Sequence, residues 1–298
     1  MPPAFTRVRR IAGILGARRL VGRAVAGYQL VAILGHGRFG TCYRARPLHT
    51  DGPDLVFKLV VESPEPLSQR EDAPTMATDG RSAGSRHCHR PNSRPRPQDA
   101  AHELLWAEAA AFSLAFDEHR RDTPEWLGVA RDERGRTFLL QTLMEGRPLD
   151  RMLRDGTVFS PAEIHALIAQ LMAILDRLHA RGVLHNDVRP ANILVDEGRL
   201  ALIDFGMATF FDQRRCPEVF AADGVTDRSG VADVLLFLLY SDPKRVRRTK
   251  RGTWRDELDL DPSQRAFIDG MFAETPCGEN WGAVRRQFDH LFRPATLS

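Results

Sequence analysis

One stretch limits the possible folds of this chain more than any other. Residues 185–195 read His-Asn-Asp-Val-Arg-Pro-Ala-Asn-Ile-Leu-Val, and Asp204-Phe205-Gly206 follows after a short interval. Asp187 and Asn192 stand five residues apart, just before the apolar run. Carboxylate and amide oxygens in this pattern can hold Mg²⁺ on phosphate groups, while one carboxylate faces an attacking hydroxyl. The alternative is a turn between a helix and a hairpin, in which Asp and Asn serve turn chemistry alone.

A glycine-rich segment lies far upstream, where Gly35, Gly37 and Gly40 form the pattern G-x-G-x-x-G. Dinucleotide-binding folds use the same spacing where a strand turns into a helix. Here the residues after Gly40 favour a strand and run to a turn at 47–53, which predicts a hairpin after the strand at 28–34. Because glycine has no Cβ, the backbone amides of such a hairpin can approach phosphate oxygens.

A single lysine interrupts the apolar strand predicted over 55–61, in a chain that contains only three lysines. Burial of an unpaired ammonium group is costly, so we expect Lys58 to reach a phosphate and a carboxylate. The alternative is an edge strand with this lysine in solvent. Glu103 and Glu108, on a helix predicted over 99–118, are the candidate partners. Small residues around Glu108 would let the helix approach a sheet, which favours Glu108.

The clearest helix signal is at Ser160, which is followed by Pro161 and, three residues after the cap, by Glu163. This is a capping box with proline in the first turn, and the apolar stripe that follows predicts a helix ending at Gly182. Such a helix would support the stretch at 185–195 from behind.

Several strands are predicted around the central stretch. Those at 126–130 and 137–143 lead into a hinge rich in Gly and Pro, whose backbone can read an adenine edge. A hairpin over 193–203 would bring Asn192 and Asp204 to neighbouring strand ends.

The region after Asp204 reads as about thirty irregular residues followed by a buried helix over 233–240. Asp233 is then either a charge at the helix N-terminus or an anchor for the loop around His185. Two further helices are predicted at 262–273 and 281–292.

Composition narrows the function classes. A formal net charge of +3 is too small to argue for nucleic acid, and no apolar run reaches the ~20 residues that span a bilayer. The four cysteines lack metal-type spacing, which predicts reduced thiols and a cytoplasmic protein. Residues 244–251 are a basic run, either a solvated loop or a dock for an acidic partner or membrane surface.

Two segments stand outside this pattern. Residues 1–26 are basic and contain no acid, as in transit peptides, but a lead-in to the first sheet is the preferred interpretation. Residues 62–100 lack periodicity, which predicts a disordered insertion.

Taken in chain order, these motifs resemble those of the protein kinase superfamily, and in particular bacterial-type Ser/Thr kinases related to the eukaryotic ones. The resemblance covers 28–292 as one domain. It implies an α+β, bilobal protein-kinase-like fold: a small antiparallel β N-lobe over 27–142 with one main helix, and a larger α-helical C-lobe over 143–298. It also implies ATP and Mg²⁺ as cofactors, and a protein with an acceptor hydroxyl as the partner.

The resemblance also implies roles for individual residues. Asp187 would accept or orient the substrate proton, with Lys58, Arg189 and Asn192 as the other catalytic residues. Asn192 and Asp204 would bind Mg²⁺. The nucleotide would be bound by Gly35, Gly37, Gly40, Cys42, Lys58, Glu108, Thr142 and Met144, with Gln141 at the back of the pocket.

Some positions depart from the family pattern. Asn186 stands where many protein kinases have an arginine that pairs with a phosphate on the activation segment, so the resemblance does not extend to that control. Arg189 stands where Ser/Thr kinases usually carry lysine, and Cys42 where they usually carry valine. No Ala-Pro-Glu motif follows Asp204.

Three functions are compatible with the sequence. The first is a Ser/Thr protein kinase that uses Asp187 as its base. The second is a small-molecule kinase of the same superfamily, and the third is a pseudokinase that binds nucleotide or partners without turnover. Phe205 and the full glycine triplet favour the first function over the second. The presence of Lys58 and Asp187 argues against the third.

Overall fold

A computed structural model describes residues 18–37, 40–60, 108–116, 120–210, 217–247, 252–273 and 281–294. The chain divides into two compact units, Met1–Trp106 with Val129–Leu140 and Ala107–Gly128 with Gln141–Ser298. Strands dominate the first unit and helices the second, which confirms the predicted α+β class. The domain and lobe boundaries stay predictions. The predicted insertion at 62–100 and residues 1–17 of the lead-in lie outside the described residues.

The first unit is built on a six-stranded sheet with strand order β1-β2-β3-β4-β6-β5. Its strands are β1 (Ala24–Val25), β2 (Tyr28–Gly37), β3 (Gly40–Pro47), β4 (Leu55–Val60), β5 (Trp126–Arg131) and β6 (Thr137–Thr142). Pairs β1–β2, β2–β3 and β3–β4 are antiparallel. The fully buried rings of Tyr43, Phe57 and Phe138 form the centre of its core. The predicted glycine hairpin is therefore confirmed as β2–β3.

The second unit combines helices with short strands. In chain order its elements are α1 (described over 108–115), β7 (Arg147–Pro148), α2 (Leu149–Arg154), α3 (Pro161–Ala180), β8 (Val183–Leu184), β9 (Ile193–Asp196), β10 (Arg199–Leu202), β11 (Thr209–Phe210), α4 (Pro217–Leu239), α5 (Trp254–Glu257), α6 (Pro262–Phe272) and α7 (Trp281–Phe292). Strands β10, β9 and β7 form one sheet, and β11 pairs with β8. Helix α1, which the sequence analysis assigned to the N-lobe, groups with this unit.

Helix α3 begins and ends where the sequence predicts. The Ser160 hydroxyl accepts from the Glu163 amide at 3.3 Å, and the Glu163 carboxylate accepts from the Ser160 amide at 2.8 Å. One face is buried, through Ile164, Leu167, Ile168, Leu171, Leu175 and Leu178. Gly182, with a φ of 75°, turns the chain directly into β8 and the loop that follows it.

Helix α4 corrects the sequence prediction, because it begins at Pro217 and not at Asp233. The residues before Asp233 that read as irregular belong to this helix, and several of their buried positions are not apolar. Asp227, Arg228 and Gly230 are all buried there. A buried acid, a buried arginine and a glycine interrupt the apolar stripe by which a helix is recognised.

Gly230 lets α4 lie close to the loop after β8. A Cβ added there would lie 2.6 Å from the Val188 carbonyl oxygen, whereas one added at Gly270 in α6 would meet nothing within 4 Å. We expect Gly230→Ala to lower the free energy of unfolding by about 1–3 kcal/mol, because backbone must move. Gly270→Ala should raise it by up to about 1 kcal/mol through helix propensity. Urea unfolding of both variants checks this, and equal effects of the same sign would contradict the close approach at Gly230.

Candidate active site

Asp187 and Asn192 are joined directly in the loop that follows β8. The Asn192 side-chain amide donates to the Asp187 carboxylate at 2.7 Å and to the Asp187 carbonyl at 2.9 Å. Asn192 is buried and ends a short 3₁₀ turn that begins at Pro190. Since Nδ2 is used for both bonds, the orientation of the Asp187 carboxylate is fixed, and the Asn192 Oδ1 atom is left to act as an acceptor or ligand.

The hairpin β9–β10 brings Asp204 next to this pair, as the sequence predicts. Ile193 is the register partner of Leu202, and the Ile203 amide donates to the Asn192 carbonyl at 2.9 Å. Asp204 follows immediately, with a φ of 64°. Its carboxylate accepts from the Gly206 amide at 3.3 Å. The positive φ turns the chain sharply after the strand, which holds the carboxylate at the strand end.

Asp227 anchors the loop, and sequence reasoning missed it. Its side chain is fully buried and accepts from the backbone amides of His185 at 2.9 Å and Asn186 at 2.6 Å, and from the His179 ring at 2.8 Å. Burial alone would raise the pKa of Asp227, but the hydrogen bond from His179 and the nearby donors outweigh it and lower the pKa. The carboxylate therefore stays charged and holds the loop. Asp233, the anchor suggested by the sequence, is exposed on the same helix.

His185 is a structural residue at the start of the loop. Its ring is fully buried and packs edge-on against Phe205 at 4.8 Å, and Phe205 in turn contacts Phe112 of α1 at 5.0 Å. The ring Nδ1 accepts from the Asp187 amide at 3.3 Å, so Nε2 is the atom that donates to the Ile203 carbonyl at 3.2 Å. Burial lowers the pKa of His185, although Asp227 opposes the shift. The neutral ring thus links the loop to the strand end before Asp204.

Asn186 and Arg189, the two departures within the loop, differ in setting. Asn186 has a φ of 60°, and its side-chain amide donates to the Met207 carbonyl at 3.2 Å and the Thr209 hydroxyl at 2.8 Å. It thereby fastens the segment after Asp204 without any phosphate group. Arg189 is exposed and precedes the 3₁₀ turn. Its predicted role beside a phosphate stays a prediction.

The first unit carries the glycine-rich hairpin and Lys58, which the sequence analysis predicts to bind phosphate. Cys42 lies opposite Gly35 in β2 and opposite Lys58 in β4, so these positions share one face of the sheet. Gly40 has a φ of 151°, and a Cβ there would lie 2.1 Å from the Leu59 carbonyl oxygen, so only glycine fits. Lys58 is only 4% exposed, which contradicts the alternative of an edge strand with this lysine in solvent. The turn residues 38 and 39 lie outside the description.

The remaining predicted nucleotide contacts belong to the second unit. Thr142 ends β6 and exchanges two bonds with Glu125: its amide donates to the carbonyl at 3.0 Å and its hydroxyl accepts from the amide at 2.9 Å. Met144 lies half-buried in the irregular segment that follows, and Gln141 is buried. Glu108 is 7% exposed in α1, and its pairing with Lys58 stays a prediction. Glu103 lies outside the described residues.

The donor set suits Mg²⁺. A carboxylate and an amide oxygen, from Asp204 and Asn192, are hard oxygen ligands that leave room for water and phosphate oxygens. Within the described ranges there is no cluster of three or more His, Cys, Asp or Glu side chains able to hold a metal. A kinase-type Mg²⁺ site does not require one, since the nucleotide supplies ligands itself.

Two other predictions concern surfaces. No helix in the described part of the chain combines the length and apolar character needed to cross a bilayer. Of the basic run at 244–251, residues 248–251 lie outside the description, and an acidic partner for it stays a prediction. The cytoplasmic location stays a prediction as well.

Comparison with known proteins points to one family. Residues 125–228 match the family described as protein kinase domain. The chain is 35% identical over 163 residues to the probable serine/threonine-protein kinase YbdM of Bacillus subtilis, covering 54% of this chain and 63% of that one. It is 35% identical over 112 residues to the serine/threonine-protein kinase PknH of Mycobacterium tuberculosis, covering 33% of this chain and 18% of that one. The chain thus spans less than two thirds of the length of each of these relatives.

Proposed function

We propose that this chain, which belongs to the protein kinase superfamily, transfers the γ-phosphate of ATP to a serine or threonine hydroxyl of a protein. One observation carries the proposal. The Asn192 side-chain amide donates to the Asp187 carboxylate at 2.7 Å, and the Asn192 backbone carbonyl accepts from the amide of Ile203, the residue before Asp204, at 2.9 Å. A proton acceptor and two candidate metal ligands are thus fixed in one hydrogen-bonded unit.

In the proposed reaction, Asp187 orients the acceptor hydroxyl and accepts its proton. The hydroxyl oxygen bonds to the γ-phosphorus as the bond to ADP breaks, so ADP leaves and the phosphorylated hydroxyl remains. Asn192 Oδ1 and Asp204 would hold Mg²⁺, which would neutralise charge on the phosphate oxygens when bound. Because little covalent chemistry is asked of the protein, positioning and electrostatics supply most of the rate.

A protein acceptor is favoured over a small molecule by the relatives. Both relatives compared above, YbdM and PknH, are named as serine/threonine-protein kinases. The glycine triplet and Phe205 point the same way. A pseudokinase is disfavoured because Lys58, Asp187, Asn192 and Asp204 are all present.

The acceptor class can be tested with γ-labelled ATP, Mg²⁺ and the purified chain. Two acceptor sets are offered separately: generic protein acceptors such as casein and histone, and a panel of aminoglycosides and sugars. We expect label on protein and none above background on the small molecules. Label on a small molecule alone would move the function to the second class. Nucleotide binding without transfer to either set would support a pseudokinase.

Lys58 offers a second test. We expect Lys58→Met to lower the rate of transfer by about 10²-fold or more, because a preorganised contact to the phosphates is lost. Lys244→Met is the matched control, since Lys244 is exposed and should leave the rate within about twofold. Steady-state rates with labelled ATP measure both variants. Near-normal transfer by Lys58→Met would refute the role of Lys58.

A further inference from the structure

A chain of side-chain hydrogen bonds runs from the last helix to the loop that holds Asp187. The indole N–H of Trp281, the first residue of α7, donates to Nδ1 of His179 at 2.9 Å. His179 lies in the last turn of α3, and its Nε2 is 2.8 Å from Oδ2 of Asp227. The same Oδ2 accepts from the His185 amide at 2.9 Å. Residues of three helices are thus linked in one chain that ends at the Asp227 carboxylate.

The direction of each bond follows from the chemistry of the groups. An indole N–H can only donate, so Nδ1 of His179 must be the accepting nitrogen. The ring proton then lies on Nε2, where it points at Asp227. If the proton lay on Nδ1, it would clash with the indole N–H, and the Nε2 lone pair would face a carboxylate oxygen. Trp281 therefore selects the only neutral tautomer in which His179 can donate to Asp227.

The surroundings make this selection effective. Asp227 is fully buried, Trp281 is 7% exposed and the His179 side chain is 13% exposed. The two rings also pack edge to face, with centroids 5.6 Å apart. With water largely excluded, a donor lost from Asp227 is not easily replaced, and the carboxylate would be left undersatisfied.

We propose that Trp281 and His179 are positioning residues for the loop that carries Asp187. Trp281 fixes the tautomer of His179, His179 holds the Asp227 carboxylate, and Asp227 holds the backbone amides of His185 and Asn186. The effect on phosphate transfer rests on the proposed function. The tautomer and the order of the loop do not, and they can be measured in a protein that has no activity.

The tautomer is read by NMR on the full chain labelled with ¹⁵N-histidine, with the His179 signals assigned from their loss in His179→Gln. We expect the pattern of a proton on Nε2 in the wild type. In Trp281→Phe, which keeps a ring but removes the donor, we expect this pattern to be lost or mixed. Trp254→Phe is the control and should leave it unchanged. A proton on Nδ1 in the wild type, or an unchanged pattern in Trp281→Phe, would overturn the proposal.

Order in the loop is read from amide hydrogen exchange at His185 and Asn186. His179→Leu removes the donor to Asp227, whereas His179→Gln retains an N–H that can reach it. We expect exchange to accelerate by about 10-fold or more in the Leu variant and to be partly restored in the Gln variant. His165→Leu is the matched control, because His165 lies on the same helix, is 3.0 Å from Asp289 of α7 and is not bonded to Asp227. Equal acceleration in the His165 and His179 variants would mean that helix packing alone explains the effect, against the proposal.

Turnover separates positioning from nucleotide binding. In Trp281→Phe and His179→Leu we expect kcat to fall by about 10-fold, since a displaced base is costly, with KM for ATP within about twofold. The Gln variant should recover most of kcat. If KM rises and kcat does not fall, the positioning role is wrong. If the wild type transfers no phosphate, the proposed function fails. The NMR and hydrogen-exchange results still decide whether Trp281 and His179 position the loop.

Discussion

Replacing Asp187 by asparagine is expected to lower the rate of phosphate transfer by about 10²- to 10⁴-fold, the range by which positioned acids and bases accelerate reactions. The amide keeps the size of the side chain but cannot accept the proton of the acceptor hydroxyl as a carboxylate does. Its interaction with Asn192, now held at 2.7 Å by a charge-assisted bond, becomes one between neutral amides. ATP affinity should change little, because Asp187 is proposed to face the acceptor.

The matched control is Asp196→Asn, at the exposed end of β9 in the same unit. It removes one carboxylate and should leave transfer within about twofold. Initial rates with γ-labelled ATP and a fluorescent nucleotide titration measure the two quantities separately. An Asp187→Asn variant that retains most of its activity would refute Asp187 as the base.

Replacing Asp227 by asparagine is expected to lower the free energy of unfolding by about 3–5 kcal/mol, as breaking a buried charged network does. The carboxylate accepts three hydrogen bonds at 2.6–2.9 Å in a fully buried position. An amide offers one accepting oxygen, and its NH₂ group would face a donor. At least one of the three donors would therefore be left without a partner.

Asp233→Asn is the control on the same helix. Asp233 is exposed, and no hydrogen bond or ion pair to it occurs among the described residues; desolvation raises its pKa, so its charge is not favoured there. We expect a change within about 0.5 kcal/mol. Chemical denaturation of both variants gives the comparison. A larger loss in Asp233→Asn than in Asp227→Asn would mean that the loop is anchored elsewhere.

The contrast between these two aspartates shows what the sequence could and could not predict. Asp187, Asn192 and Asp204 carry their signal in local spacing, and a short hairpin converts that spacing into proximity. The capping box at Ser160 is local as well, and α3 begins where it predicts. Asp227 carries no such signal, since it acts on a loop about forty residues earlier in the chain.

Helix α4 explains why the anchor was missed. Its inward face uses Asp227, Arg228 and Gly230, so neither apolar periodicity nor composition marks the segment as a helix. A glycine in mid-helix normally argues against one, but here it permits a close approach to Val188, because an added Cβ would lie 2.6 Å from the Val188 carbonyl oxygen. Buried polar groups satisfied across long sequence separations are visible only once the fold is known.

The role of Asn186 was also visible only in the structure. The family pattern says only that an arginine is absent. The structure adds that the asparagine, at a φ of 60°, bonds the segment after Asp204 through Met207 and Thr209. The replacement therefore has a physical role of its own, which the resemblance did not imply.

The most direct test of phosphate transfer to protein is mass spectrometry of an acceptor protein incubated with the chain, Mg²⁺ and ATP carrying ¹⁸O in its γ-phosphate. We predict heavy phosphate on serine or threonine of the acceptor, present with the wild type and reduced to background with Asp187→Asn. Absence of heavy phosphate on any hydroxyl while the chain still binds ATP, or equal labelling by the wild type and Asp187→Asn, would contradict it.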